Sequence, residues 1–97
     1  MSDSSIFKAD IFKGKKVFIT GGATGMGLGF AKSFLSHGAE VLIASRKKDN
    51  LSLASEEAEK DTGKKLIWKV MDVRDNESVE NVADFIKNEW GHLDILV

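Results

Sequence analysis

Apolar and polar positions fall into blocks along this chain, and the blocks alternate between two periods. Lys16-Val-Phe-Ile-Thr20 is a short β-branched and aromatic run that ends in glycines, the pattern of a buried strand meeting a turn. After Gly27, Phe30, Ala31, Phe34 and Leu35 recur at helical spacing until Gly38, which stands where a helix C-cap glycine belongs. Glu40 to Ser45 is nearly continuous in apolar character, as a strand covered on both faces requires. Leu51, Ala54 and Ala58 form a second helical stripe, capped in front by Asp49 or Asn50 and closed by Gly63. Leu66 to Met71 predicts a third strand. Asp75 then caps a helix carrying Val79, Val82, Ala83, Ile86 and Trp90, Gly91 stops it, and Leu93 to Val97 begins a fourth strand.

Three strand-helix alternations followed by a new strand imply parallel pairing, because each helix serves as a crossover and crossovers are right-handed. The pattern predicts an α/β fold: a doubly wound parallel sheet of which only the first half is present, with strand order 3-2-1-4. Residues 1–12 read as a leader and 13–97 as a nucleotide-binding half-domain. No repeat, low-complexity tract or interior linker interrupts it.

Length and composition narrow the choice of function. Ninety-seven residues allow at most one compact unit, and 42% hydrophobic with 30% charged residues is the composition of a soluble globular chain. Fourteen Lys+Arg against fifteen Asp+Glu leave a formal charge of -1, so no long-range field holds nucleic acid or an acidic membrane surface. With no cysteine, disulfides, thiolate nucleophiles and cysteine zinc sites are excluded. His37 and His92 have no paired ligand spacing, and metal binding is not expected. No apolar run approaches the ~18 residues of a membrane helix, and Met1 to Asp10 lack the features of a signal or transit peptide. The expectation is a soluble, cytoplasmic protein.

The candidate chemistry lies in Thr20-Gly21-Gly22-Ala23-Thr24-Gly25-Met26-Gly27, which follows a predicted strand and opens a predicted helix. The spacing is G-x-x-x-G-x-G, not the familiar G-x-G-x-x-G. Its physics is the same: a helix start leaves four N–H groups unpartnered and carries about half a positive charge, so a pyrophosphate gains hydrogen bonds and dipole attraction there. Gly21 is assigned to the tight turn, Gly25 to close approach of backbone to phosphate, and Gly27 to packing of the helix on the sheet. Thr24 offers a hydroxyl to phosphate. The competing interpretation is a ligand-free glycine turn. A P-loop is excluded, because it needs Gly-Lys followed by Ser or Thr, and Met26 and Leu28 follow these glycines.

The second strand ends Ala44-Ser45-Arg46-Lys47-Lys48. An NAD site places a carboxylate here to accept from the ribose 2′-OH. Arg46 instead presents a fork for a 2′-phosphate, and Lys47 adds charge, so NADP is the expected cofactor. Alternatively the basic run is a solvated turn. Asp72-Val73 follows the third strand at the ligand-binding edge, where Asp72 is suited to accept from the adenine amino group and Val73 to pack on the ring; Asp72 has a purely structural alternative, ordering the turn into the next helix. Trp68 and Trp90 read as core, His37 as a helix-end cation, and Lys13, Lys15 and Lys16 as a solvated approach to the first strand.

Thr20-Gly21-x-x-x-Gly25-x-Gly27, the arginine after the second strand, Asp72-Val73 and Leu93-Asp94-Ile95-Leu96-Val97 together resemble the amino-terminal part of the short-chain dehydrogenases/reductases. The resemblance covers essentially the whole chain. Within that family, Phe7-Lys8-Ala9-Asp10-Ile11-Phe12, Ile19-Thr20-Gly21-Gly22, Ile43-Ala44-Ser45-Arg46-Lys47 and Met71-Asp72-Val73-Arg74-Asp75 are similar to the 2,4-dienoyl-CoA reductases. It implies a Rossmann fold, NADPH, hydride transfer and an unsaturated acyl-CoA substrate, in a homo-oligomer without nucleic-acid or membrane partners. A dienoyl-CoA reductase would also be compatible with a peroxisome or mitochondrion.

The same resemblance places the family's Asn-Asn-Ala-Gly motif after Val97 and its catalytic Ser or Asn, Tyr and Lys further on. The chain has no tyrosine. It therefore reads as the cofactor-binding front half of a reductase, a fragment or truncated product with no turnover of its own. Two alternatives stay open: a 3-oxoacyl or other carbonyl/alcohol reductase with the same front half, and a non-catalytic nucleotide-binding module.

Overall fold

The computed structural model describes residues 11–21 and 25–97. The leader up to Asp10, and Gly22, Ala23 and Thr24 within the glycine turn, lie outside the described residues. Four strands, β1 (Lys16–Thr20), β2 (Glu40–Ser45), β3 (Ile67–Val70) and β4 (Ile95–Leu96), form one sheet in the order β3-β2-β1-β4. All three pairings are parallel, with Phe18 opposite Leu42 in the centre and Val17 opposite Ile95 toward the β4 edge. This is the expected half of a doubly wound sheet.

Between the strands run α1 (Gly25–Ser36), α2 (Lys48–Thr62) and α3 (Asn76–Phe85), the last continued by a wide turn of π-helix over Ile86–Trp90. The sheet separates two apolar layers because side chains alternate along each strand. Val17, Ile19, Val41 and Ile43 face α1 and α2, where they meet Ala31, Leu35, Leu51, Ala54 and Ala58. Phe18, Leu42 and Ala44 face the other way and pack with Val82 and Trp90. Two helices on one side and one on the other is what right-handed crossovers produce when the chain reverses direction after β3. Val41, Leu42 and Ile43 are fully buried, and burial of each contributes roughly 1.5–3 kcal/mol.

The elements depart from the sequence expectation mainly at their ends. α1 takes in Gly25 and Met26 instead of starting after Gly27. α2 begins at Lys48, with Lys47 extended at the N-cap and making no side-chain cap bond; Asp49 lies inside the first turn, where its charge suits the helix dipole. Asp75 does cap α3, accepting from the Glu77 N–H at 3.0 Å. The stripe ending in Trp90 is helical throughout but widens at Ile86, and the Gly91 N–H reaches back to the Ile86 carbonyl. β3 and β4 are shorter than the apolar runs that predicted them, although single ladder bonds from Met71 N–H to the Ser45 carbonyl and from Val97 N–H to the Phe18 carbonyl continue the pairing.

Several polar side chains are structural. Trp90 is buried and Trp68 packs against the first apolar layer. Lys16 is not solvated as expected: only 17% of its side chain is exposed, paired with Glu40 and lying 5.9 Å from the Trp90 ring centroid. Asp94 accepts from the Lys16 N–H at 2.8 Å and lies 3.1 Å from His92 Nε2, fixing the entry to β4. His37 Nδ1 is 2.6 Å from the Ser33 carbonyl at the end of α1. Among the described residues no helix is long and apolar enough to cross a membrane.

Candidate functional site

Parallel strands deliver their carboxyl ends to one edge of the sheet, and ligands of such sheets bind in the crevice beyond that edge. Here the edge carries an open cleft of about 250 Å³, lined by Thr20, Gly21, Ala44, Ser45, Arg46, Met71 and Val73. β1, β2 and β3 each contribute their last residues to it. Two larger clefts, each about 460 Å³, lie between α1 and α2 and at the opposite edge of the sheet. Neither contains the carboxyl end of β2 or β3.

The glycine turn enters the cleft through Gly21, whose φ of 68° is in the left-handed region, and its N–H donates to the Ala44 carbonyl at 2.8 Å. Gly25 has φ 59° and starts α1. Side chains pay a penalty at both positions, so the local backbone demands glycine there. Among the described residues, the chain neighbours of Gly25 and the backbone of α1 apart, no atom lies within 4 Å of where a Cβ at Gly25 would stand, so the demand for glycine there is conformational. Met26 is 78% exposed beside it, and Gly27 is half-buried in the first turn of α1.

At the end of β2, Ser45 is half-buried and Arg46 and Lys47 are exposed. Among the described residues Arg46 makes no ion pair. Lys47 stands further round, at the N-cap of α2 and outside the residues lining the cleft. Val73, 75% exposed, offers an apolar surface to the cleft.

Asp72 is engaged by its own turn. Its Oδ1 accepts from the Arg74 backbone N–H at 2.9 Å and from Arg74 Nε at 3.1 Å, while Oδ2 accepts from Arg74 Nη2 at 2.9 Å. These side-chain and backbone bonds from Arg74 hold the carboxyl down at about 2, with a smaller pull from the nearby Arg46 charge. The Ser78 hydroxyl fastens the same turn, accepting from the Asp72 N–H and bridging to the Asp72 and Asp75 carbonyls, each at 3.0 Å.

The cleft therefore brings together Gly21, Ser45, Arg46 and Val73 of the sequence-expected residues, with Asp72 at its rim. Thr20, Ala44 and Met71 line it as well. The sequence reading missed the roles of Arg74 and Ser78. A signal for the first was available, since Asp side chains commonly accept from the backbone two residues on. Ser78 answers to no local pattern; its part depends on the fold of the turn.

The sequence pattern of the short chain dehydrogenase family matches residues 15–97. The chain is 38% identical over 96 residues to a probable 2,4-dienoyl-CoA reductase 3, (3E)-enoyl-CoA-producing, of Caenorhabditis elegans, covering 98% of this chain and 31% of that protein. It is 36% identical over 92 residues to a peroxisomal 2,4-dienoyl-CoA reductase of Rattus norvegicus, covering 95% and 32%. Among solved structures, L-sorbose reductase from Gluconobacter frateurii complexed with NADPH and L-sorbose is similar with a TM-score of 0.78 and 30% identity, over 92% of this chain and 34% of that one. The chain spans about a third of the length of the curated relatives it matches.

Proposed function

Because the chain belongs to the short chain dehydrogenase family, a family of oxidoreductases, we propose that it is the NADP(H)-binding front half of a 2,4-dienoyl-CoA reductase of unsaturated fatty acid oxidation. The observation that carries the cofactor reading is Arg46: an exposed guanidinium without a carboxylate partner among the described residues, at the strand end that faces the adenosine ribose. A carboxylate at this place would repel a 2′-phosphate. Arg46 attracts it and donates to it in a fork.

The residues present fit a dinucleotide. The turn of Gly21 to Gly27 would hold the pyrophosphate, with the start of α1 at Gly25 supplying N–H groups and the positive end of the helix dipole. Gly22, Ala23 and Thr24 share that role in this proposal. Ser45, Arg46 and Lys47 would hold the phosphorylated ribose, and Asp72 and Val73 the adenine. When bound, the nicotinamide supplies a hydride to the substrate. The residues of this chain bind and orient that cofactor; without a tyrosine they provide no Tyr-Lys proton donor, and we expect no turnover from these 97 residues alone.

The names of the relatives support the substrate class, an acyl-CoA, and for the rat protein a peroxisomal setting. The test is an assay of the intact protein with NADPH and two substrates. Consumption of NADPH with a 2,4-dienoyl-CoA but not with a 3-oxoacyl-CoA is expected; the reverse preference assigns it to the carbonyl reductases.

A further inference from the structure

We propose that Arg74 is a specificity-determining residue, which by occupying the Asp72 carboxylate leaves the Arg46 fork free for a ribose phosphate. The inference rests on the reading of the cleft as an NADP site. Its starting point is an imbalance at the rim: two arginines stand beside one carboxylate, and only one is paired with it. Arg74 takes Asp72 through two guanidinium nitrogens and its own N–H. Three of the roughly four lone-pair positions of the carboxylate are thereby filled. Arg46 lines the same cleft as Met71 and Val73, the residues on either side of Asp72, yet among the described residues makes no ion pair with it.

Removal of Arg74 changes this arrangement in two ways that act together. Asp72 keeps only the backbone N–H of residue 74 and loses its counter-charge next to Arg46, and a planar fork facing a carboxylate is the geometry that arginine satisfies best. Arg46 is then drawn away from the phosphate position. The unneutralised carboxylate also repels a 2′-phosphate directly. NADH presents only a ribose hydroxyl there, and any change in the adenine contact of Asp72 is common to both cofactors, so the two effects are read in the ratio of their affinities. Arg74 itself is 73% exposed and needs no contact with the cofactor to act in this way.

The experiment measures NADPH and NADH dissociation constants for Arg74→Ala, Arg74→Gln and the double variant Asp72→Asn/Arg74→Ala in the intact protein. Each single variant is expected to lower the preference for NADPH over NADH about tenfold, the worth of one charge-assisted hydrogen bond. The double variant, in which the carboxylate is gone as well, is expected to regain the wild-type preference. Equal weakening of both cofactors, an unchanged ratio, or a double variant no better than Arg74→Ala overturns the proposal. Arg46→Ala separates it from the reading beneath it. If that variant abolishes the NADPH preference while the Arg74 variants keep it, only the role of Arg74 falls; if the preference survives Arg46→Ala, the NADP site itself is misassigned.

Discussion

The backbone N–H of Gly21 donates to the carbonyl of Ala44 at 2.8 Å, so the turn after β1 is tied to the end of β2. One bond thus fixes the spacing between the glycine turn and the arginine that follows Ser45. In the proposed site these are the places of the pyrophosphate and the ribose phosphate, and their separation is set by the pairing of two adjacent strands. In that proposal, strand register serves the binding of one extended ligand.

Gly21→Ala puts a Cβ on a residue at φ 68°. The substitution should cost about 1–2 kcal/mol of stability, because the left-handed conformation disfavours side chains. NADPH affinity should fall with it, since relaxation of the turn displaces the helix start. Urea denaturation and cofactor titration of the same variant check both effects.

Ile43→Ala removes a fully buried side chain from the inner strand β2, in the apolar layer that also holds Leu35 and Leu51. About 2–5 kcal/mol of stability should be lost. A thermal melt followed by circular dichroism tests it.

Strand positions were the most legible part of the fold. The runs Lys16–Thr20 and Glu40–Ser45 coincide with β1 and β2, because buried parallel strands are bounded sharply by glycine or by charge. The alternation of elements implied parallel pairing, and the order β3-β2-β1-β4 is the one expected of the first half of a dinucleotide fold. Less legible were the features decided by tertiary contact. Asp49 and Asn50 both look like caps, but the bond from Leu51 N–H to the Lys47 carbonyl starts α2 ahead of them. The widening at Ile86 leaves no trace in the spacing of apolar residues. At the site, Arg46 and Val73 were readable from their distance to strand ends, whereas the Arg74 clamp required the turn at Asp72 to be seen closed.

Asp72 makes stability depend on pH in a defined window. Its carboxyl titrates at about 2 in the folded chain against an ordinary value of 3.8. Because the folded value is the lower one, the contribution is complete above the ordinary value and is lost as pH falls through about 2. Wild type should be more stable than Asp72→Asn at neutral pH, and the two should converge between about pH 4 and pH 2. Denaturation of both proteins across that range checks the sign; a gap that widens on acidification contradicts it.

Arg46→Asp should reverse the cofactor preference. A carboxylate at the end of β2 accepts from a ribose hydroxyl and repels a phosphate. NADPH affinity should fall by about 10–100-fold, the worth of hydrogen bonds to a charged group, and NADH affinity should hold or rise. Fluorescence titration of reduced cofactors measures the ratio.

The central claim is that the cleft at the ends of β1, β2 and β3 is a berth for a phosphorylated dinucleotide. Calorimetric titration of the intact polypeptide with NADPH and then NADH tests it most directly. Saturable binding of NADPH, tighter than that of NADH and weakening as salt rises, is the predicted result. No binding of NADPH, or tighter binding of NADH, contradicts it.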